Sequence, residues 1–218
     1  MIQQVSLNHG AVPYIYMLHK NKMDLLDNKG YMQLKSFLRQ TFGSCPLEPF
    51  TTGPRSSKLK FSVGIEPRKI SNHEVSLLAQ EGLAWNRFGT AHANVQVFML
   101  SHDTQTMAVE VPLWLYPKEY GTEMEGKFRE FFKEEGPLSG HVDILRLEGD
   151  KIWIWDYKPK AHKEKYASTQ TYFYALMMSK RTGIPLEHFM CGYFDDKSTY
   201  VFKPDQKYLK EQQTMIFN

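Results

Sequence analysis

The sequence predicts an α/β fold in which a mixed sheet is flanked by helices. Its patterns follow one another as helix, strand, hairpin, helix and strands, an order that is compatible with this fold class. Two apolar segments, 138–147 and 151–158, flank Glu148-Gly149-Asp150 and predict the central hairpin. In a chain of 218 residues, scattered Pro and Gly mark no linker. We therefore expect a single compact domain, with residues 1–70 as an N-terminal extension packed on a core formed by residues 71–218.

The N-terminal half is predicted to be largely helical. A helix is expected over residues 23–41, with a break near Gly30, and residues 45–70 are expected to form loops and short strands. Ser71-Asn72-His73-Glu74 is a capping-box pattern. It predicts that a long helix begins there and runs towards Ser101.

The second half is predicted to alternate strands with helices. Pro112 suggests an edge position or a bulge for the first strand, and Gly183-Ile184-Pro185 should end the second helix. We interpret Asp195-Asp196-Lys197-Ser198 as a polar turn rather than a set of ligands. The expected elements are a strand over 106–115, a charged amphipathic helix over 123–135, the hairpin, a helix over 164–182, strands over 189–194 and 199–203, and a short C-terminal helix.

Two aspartates are expected to face each other across the central hairpin. Counting back from a two-residue connection at Gly149-Asp150 pairs Asp143 with Asp156. The same count pairs His141 with Lys158. Because side chains alternate across a strand, Asp143, Asp156 and Lys158 share one face. A four-residue connection gives the same pairs, whereas a register shift of one residue would separate them.

Opposed carboxylates at this position favour a bound cation. Directly opposed Cβ atoms lie about 5 Å apart, and like charges there destabilise the pair. An exposed hairpin, with two solvated aspartates and Lys158 as a surface partner, is the simpler alternative. Against it, both faces are apolar: Leu145, Leu147, Ile152 and Ile154 share the face of the aspartates, and Val142, Ile144, Trp153, Trp155 and Tyr157 occupy the other. Covered carboxylates are costly unless paired or metal-bound, and oxygen ligands suit Mg²⁺ or Mn²⁺ better than zinc.

The hairpin also resembles the core of a known superfamily. Asp143, followed after the turn by Asp156-Tyr157-Lys158, is similar to the Asp…(Asp/Glu)-x-Lys pattern of the PD-(D/E)xK nucleases. Gln170-Thr171-Tyr172-Phe173-Tyr174 resembles the Gln-x-x-x-Tyr signature of the RecB-like exonuclease branch. Gly89-Thr90-Ala91-His92 is similar to the Gly-x-x-His element of that branch, and Glu110 resembles the glutamate on its preceding strand. The resemblance implies a restriction-endonuclease-like core, and its motifs keep the family's order over residues 82 to 195.

The resemblance implies a role for each of these residues. Asp143, Asp156 and His92 would ligate Mg²⁺ or Mn²⁺, with the backbone carbonyl of Tyr157 as a further ligand. Lys158 would position or activate the attacking water and neutralise charge on the phosphate.

Four further residues have an implied role at the site, and three of them could instead have a purely structural role. Gln170 and Tyr174 lie one helical turn apart and would orient Lys158 and the DNA backbone, although ordinary helix packing would also explain Tyr174. His92, placed in the C-terminal third of the long helix, could instead be a hydrogen-bonded core histidine. Glu110 could instead pair with a basic residue on the sheet.

The distribution of charge permits nucleic-acid binding. The formal net charge is only +3, so the local clusters carry more information. Lys160, Lys163 and Lys165, with Tyr166 among them, suit a groove that follows the phosphates of single-stranded nucleic acid and stacks its bases. A solvated loop is the alternative for these residues. It is the preferred interpretation for a second basic tract, which comprises Arg55, Lys58, Lys60, Arg68 and Lys69.

The two cysteines, Cys45 and Cys191, form no Cys-x-x-Cys pattern and predict neither a disulfide framework nor a zinc site. Several RecB-like nucleases, including CRISPR-associated ones, hold an iron–sulfur cluster through four cysteines. Two thiolates cannot supply such a cluster, so we expect a cluster-free protein. A reducing, intracellular location is expected, because neither a signal peptide nor a membrane span is evident.

These observations predict a metal-dependent deoxyribonuclease, most simply an exonuclease acting on DNA ends or single strands, in DNA repair or recombination. Phosphodiester hydrolysis follows from the site, whereas the exonuclease assignment follows from the resemblance alone. A structure-selective or restriction-like endonuclease would use the same residues. RNA cleavage and a non-catalytic nucleic-acid-binding subunit of the same fold are further alternatives, and the oligomeric state is left open.

Overall fold

The residues that the structure describes form an eight-stranded sheet that is covered by helices. The computed structural model describes residues 1–11, 13–119 and 136–208. Its strands are β1 (Ile2–Leu7), β2 (Tyr14–His19), β3 (Arg68–Ile70), β4 (Thr106–Leu115), β5 (Leu138–Glu148), β6 (Lys151–Tyr157), β7 (Phe189–Phe194) and β8 (Thr199–Phe202). Its α-helices are α1 (Leu25–Asn28), α2 (Met32–Gly43), α3 (Glu74–Trp85), α4 (Ala91–His102) and α5 (Ala167–Thr182).

The sheet is mixed, as the sequence predicts. The strand order is β1-β2-β4-β5-β6-β7-β8-β3, and β6 and β7 form a parallel pair. The other neighbours pair antiparallel. Parallel neighbours need a long crossover connection, and α5 supplies it between β6 and β7. The α/β fold class is confirmed, and it is consistent with the restriction-endonuclease-like core.

The central hairpin has the predicted register. Its pairs run from Glu148↔Lys151 to Ile144↔Trp155, around Gly149 with a φ of 59°. Leu145 and Ile154 pack in the core cluster that contains α2 and α5 residues, whereas Ile144 and Trp155 pack with α3 and α4. Helices therefore cover both faces of the hairpin.

One expectation about the faces is wrong. Val142 packs with Leu145 in the same core cluster, rather than with Ile144 on the opposite face. The neighbouring strand changes face at the same level, because Val109 lies in one cluster and Val111 in the other. Between these residues Glu110 has a φ of 54°, a left-handed conformation that is uncommon for a residue with a side chain. This reversal interrupts the alternation of β4, and the paired residues of β5 change face at the same level.

The long helix predicted from Ser71 to Ser101 is in fact two helices. Asn86, with a φ of 44°, ends α3 in the left-handed conformation typical of helix C-termini. A Cβ on Gly82 would lie only 3.0 Å from Val95 Cα, so this glycine permits close packing of α3 on α4. The capping-box expectation is also wrong, because His73 caps α3.

Residues 1–70 contribute three strands to the sheet. β1 and β2 form a hairpin beside β4, which the sequence analysis did not predict, and β3 pairs with β8 at the other edge. Gly30, with a φ of 76°, separates α1 from α2 and confirms the predicted break.

The remaining elements agree with the sequence apart from their ends. β4 covers the predicted residues and is an interior strand, but at Pro112 it has no partner on the β2 side among the described residues, so the expected edge position holds locally. β2 pairs with β4 only at Ala108 and Val109, so the missing N–H of Pro112 interrupts no bond to β2. α5 begins at Ala167, after a 3₁₀ turn at Ala161–Lys163. The helix predicted over 123–135 and the C-terminal helix beyond residue 208 lie outside the described residues.

Candidate active site

The two aspartates lie where β5 and β6 separate, a point that we call the fork. The last pair of the hairpin is Ile144↔Trp155, and Asp143 and Asp156 are the next residues on the two strands. Beyond the fork, β6 continues beside β7. β5 continues beside β4 on one side, and on the other side Ser139 forms a bridge with Arg55. Asp143 stays in contact with β6 because its Oδ2 accepts a hydrogen bond of 3.0 Å from Tyr157 N.

Asp156 is the most buried carboxylate of the site, with 1% of its surface exposed. Its Oδ1 accepts a hydrogen bond of 3.3 Å from Gln170 Nε2, and its Oδ2 lies 2.7 Å from Lys158 Nζ. Among the described residues, the ammonium group of Lys158 is the close cationic partner of this oxygen. A buried carboxylate requires such positive charge, which a bound cation would also supply.

Lys158 remains protonated between the two carboxylates. Burial acts to lower the pKa of its amine, but the charges of Asp156 and Asp143 raise this pKa above its usual value. The ammonium group supplies the positive charge that opposed aspartates require.

Asp143 and Glu110 add two further carboxylates. Glu110 occupies the position between Val109↔Ile144 and Val111↔Val142 in the β4–β5 ladder, and therefore lies opposite Asp143. Burial, followed by the charges of Asp156 and Glu110, raises the pKa of Asp143 well above its usual value. Burial also raises the pKa of Glu110 to about 7. The ionised forms of these carboxyl groups are thus disfavoured at the fork, and a bound cation would favour them.

His92 approaches this group from α4. It lies in the first turn of α4, not in the C-terminal third of a long helix. Its Nε2 is 3.9 Å from Asp143 Oδ2, and its side chain is 44% exposed. Burial is the largest of several effects on the pKa of His92, which is lowered, so the neutral imidazole needed by a metal ligand is favoured.

Gln170 and Tyr174 approach from α5 on the other side. Gln170 Nε2 donates hydrogen bonds to Asp156 and, at 2.9 Å, to Tyr174 Oη. The expected contact of these two side chains with Lys158 is not found among the hydrogen bonds of the described residues. Tyr174 is buried, and a Cβ on Gly140 would lie 2.4 Å from its ring. Because the phenol fills the space above Gly140, it is packed in the interior rather than exposed at the surface.

His141 does not face Lys158, so this expectation is wrong. It is buried, and its Nδ1 lies 3.1 Å from Arg55 Nη2 while its Nε2 lies 3.0 Å from His9 Nδ1. Its ring stacks on Tyr14 at 3.8 Å. The strands have already separated at the fork, and this part of β5 packs against the N-terminal segments instead. Arg55 is therefore also engaged in the interior, and is not part of a solvated loop.

The basic loop follows the site directly. Lys160, Lys163 and Lys165 are exposed, and Tyr166 is partly buried. Asp195 Oδ2 accepts a hydrogen bond of 2.9 Å from Ala161 N, which anchors the loop. Asp195 Oδ1 accepts the N–H groups of the 195–198 turn, as expected for a polar turn.

Sequence reasoning missed two residues at the site. Gln96 Nε2 donates a hydrogen bond of 2.7 Å to Glu110 Oε1. Its position four residues after His92, on the same face of a helix, was a usable signal. Gly140 provides the space for Tyr174, and no sequence signal specified that contact.

The donor set at the fork suits a hard cation. Across residues 1–11, 13–119 and 136–208, no three His, Cys, Asp or Glu side chains are already gathered in a metal-binding cluster. Two aspartates, one of them with its Oδ2 paired to Lys158, nevertheless fit Mg²⁺, which binds through few carboxylates and retains several waters.

The comparison with protein families covers most of the chain. The family model of the PD-(D/E)XK nuclease superfamily matches residues 67–217. The chain belongs to this superfamily. Asp143 and Asp156-Tyr157-Lys158 resemble the aspartate and (D/E)XK elements in the name of this superfamily, with Val142 rather than proline before Asp143. Searches among curated proteins and solved structures found no significant match.

Membership in the PD-(D/E)XK superfamily defines the general chemistry. Its members are generally metal-dependent nucleases, typically with Mg²⁺, and their substrates are nucleic acids. Within the described residues, no helix has the length and apolar character needed to cross a membrane.

Proposed function

We propose that this protein is a metal-dependent exodeoxyribonuclease that hydrolyses DNA from ends or on single strands. The observation that carries the proposal is the meeting of Asp143, Asp156 and Lys158 at the fork, with the buried Asp156 carboxylate paired to Lys158. The exonuclease assignment is supported by the resemblance of His92, Gln170 and Tyr174 to the RecB-like motifs.

In this proposal Asp143, Asp156, His92 and the backbone carbonyl of Tyr157 would hold Mg²⁺ or Mn²⁺. When bound, the ion lowers the pKa of a water molecule and polarises a phosphate oxygen. Gln170 fixes the Asp156 carboxylate through Oδ1, which leaves Oδ2 directed towards Lys158. Glu110 lies opposite Asp143 and is held by Gln96 at the margin of the site.

Lys158 acts through its charge. Its raised pKa keeps the amine protonated near neutral pH, so it positions the water and stabilises the developing negative charge on the phosphate. The exposed side chains of Lys160, Lys163 and Lys165 attract backbone phosphates of the DNA that lie next to the bond being cleaved.

We further propose that no iron–sulfur cluster is present. Cys191 is buried on β7 and Cys45 is partly buried, and two cysteines fall short of the four thiolates of such clusters. The purified protein is expected to be colourless. A brown preparation with visible absorption would contradict this expectation.

The decisive experiment offers end-labelled linear single strands, linear duplexes and covalently closed circles to the protein with Mg²⁺, Mn²⁺ or EDTA. We expect loss of linear DNA with circles spared, and no loss in EDTA. Asp143→Ala and Asp156→Ala should abolish cleavage while the fold is retained, because each removes one of two opposed carboxylates. Asp150→Ala, in the exposed turn of the same hairpin, is the matched control.

Each other outcome has a distinct meaning. Nicked circles would show an endonuclease that uses the same residues. Degradation of RNA in preference to DNA would change the substrate class. Absence of cleavage, with DNA binding that survives Asp156→Ala, would indicate a nucleic-acid-binding subunit instead of an enzyme.

A further inference from the structure

The connection between α3 and α4 presents an exposed aromatic side chain close to the aspartates. Phe88 is 41% exposed, and it is the only aromatic among the large hydrophobic side chains that the described part of the chain exposes. A single exposed hydrophobic residue is ordinary in itself. The location of Phe88 is informative, because His92 follows four residues later and lies 3.9 Å from Asp143. Four residues span at most about 14 Å, so Phe88 is within a few nucleotide lengths of the site.

This connection is held in one conformation. Asn94 is buried, and its Oδ1 accepts a hydrogen bond of 2.8 Å from Phe88 N. Its Nδ2 donates to Phe88 O at 2.8 Å and to Thr90 O at 2.9 Å. Thr90 in turn caps α4 by accepting a hydrogen bond from Ala93 N. The backbone on both sides of Phe88 is therefore fixed, and its ring is presented without a further cost of ordering the loop.

The ring also rests on an aromatic support with a positive neighbour. Trp85 lies 5.7 Å from Phe88 and 5.9 Å from Phe98, measured between ring centroids. The guanidinium of Arg87 is 5.5 Å from the centre of the Trp85 ring. Arg87 is exposed and forms no ion pair with a carboxylate of the described residues. An exposed ring beside an available cation is the combination that binds a base together with its phosphate.

We propose that Phe88 stacks on an unpaired nucleobase of the substrate while Arg87 contacts the adjoining phosphate. A base inside a duplex has both faces covered by its neighbours, so the contact selects a single strand or a frayed end. The contact is tolerant of sequence, because every base offers a π-face. This inference rests on the proposed function and specifies its substrate as nucleic acid that is single-stranded on the α4 side of the fork.

The test removes the ring and the base separately. Fluorescence anisotropy measures binding of a labelled oligothymidylate and of an abasic strand of equal length and charge, both without metal. The wild-type protein should bind the normal strand more tightly. Phe88→Ala should weaken that binding about fivefold to a hundredfold, the range for one lost base–aromatic stack, and should leave abasic binding unchanged. Phe88→Tyr should keep the preference for bases.

Two controls separate stacking from folding. Leu77→Ala removes another exposed hydrophobic side chain, on α3, and should alter neither affinity. Phe88→Leu keeps apolar bulk without a π-face, so it should lose the preference even if Phe88→Ala is poorly folded. Equal affinity of wild-type protein for both strands, or an equal loss on both in Phe88→Leu, would overturn the proposal.

The result is independent of catalysis. A base preference that depends on Phe88 in a protein that cleaves nothing would support the stacking site and refute the nuclease. Cleavage without that preference would support the nuclease and refute the stacking site.

Discussion

Lys158 lies 2.7 Å from Asp156 Oδ2, and this contact limits the roles that its amine can take. With its pKa raised by Asp156 and Asp143 against the effect of burial, the amine carries its proton in the metal-free protein. A protonated amine cannot accept a proton from water. It stabilises negative charge, and it reduces the repulsion between the aspartates while no metal is bound.

The role of Lys158 gives a prediction for its replacement. Lys158→Met should lower the single-turnover rate at saturating metal by about a hundredfold or more, because a preorganised positive charge at the phosphate is lost. Lys158→Arg should retain part of the rate. Lys151→Met, on the other end of the same hairpin, should cleave normally. A Lys158→Met protein as fast as wild type would show that the charge is not used.

At the scale of elements, α5 is fitted to β5 through one glycine. Gly140 faces the Tyr174 ring at a distance that leaves no room for a methyl group. Tyr174 in turn holds Gln170, which holds Asp156. The orientation of the aspartate therefore depends on the spacing between a helix and a strand.

Gly140→Ala should consequently affect both stability and activity. Overpacking of this kind costs about 1–3 kcal/mol of unfolding free energy, and displacement of Tyr174 should also loosen the Gln170–Asp156 contact. Urea unfolding and cleavage rates would measure the two effects. Gly43→Ala is the control, because a Cβ there meets no atom within 4 Å. An unchanged urea midpoint in Gly140→Ala would mean that α5 moves aside without cost.

A second connection between elements is the buried histidine pair. Arg55 can only donate, so His141 Nδ1 accepts, and the proton on His141 Nε2 is donated to His9 Nδ1. Burial, with the charge of Arg55, lowers the pKa of His9 to about 4 and that of His141 well below its usual value. Both rings are therefore neutral in the folded protein.

The neutral pair predicts a loss of stability in acid. Below about pH 6.5 the two histidines bind protons in the unfolded chain but stay neutral in the folded protein. The contribution of the pair to the free energy of unfolding is therefore fully present above that pH and decreases towards pH 4. Each histidine contributes a slope of up to about 1.4 kcal/mol per pH unit. Urea unfolding across this range should show the slope, and His141→Gln should reduce it. If His162→Gln, which alters an exposed ring, reduced it equally, the buried pair would not be its source.

At the scale of the whole molecule, charge is distributed around the fork. The net charge is only +3, and the exposed lysines of the basic loop stand immediately after the acidic site. Their attraction for phosphate should offset the repulsion between DNA and the carboxylates.

The basic loop should therefore govern the salt dependence of binding. Replacing Lys160, Lys163 and Lys165 by Ser should reduce the slope of log affinity against log salt by about 2 for single strands, if each lysine meets one phosphate. Equilibrium titrations at several salt concentrations would measure it. Replacing Lys20, Lys180 and Lys203 removes the same charge elsewhere and should leave the slope largely unchanged. Equal slopes in the two triple variants would remove the loop from the binding surface.

The sequence specified local features better than distant ones. The register of the hairpin could be predicted by counting residues from one turn and assuming that side chains alternate between the two faces. The break between α3 and α4 was missed because the residues around Asn86 are compatible with a continuous helix, whereas in the structure Asn86 adopts the left-handed conformation and ends α3. The change of face at Glu110 depends on a backbone conformation that the alternating pattern does not encode. The partner of His141, His9, is 132 residues away in sequence, so no local pattern could reveal it.

The fork also has a mechanical consequence. Beyond it, Asp143 belongs to a body that includes β4 and the bridge to Arg55, whereas Asp156 belongs to a body that includes β7. Any motion that spreads the two bodies must also separate the two carboxylates. An ion held by both carboxylates would join the two strands beyond the fork, so separating the strands there would also break the metal site.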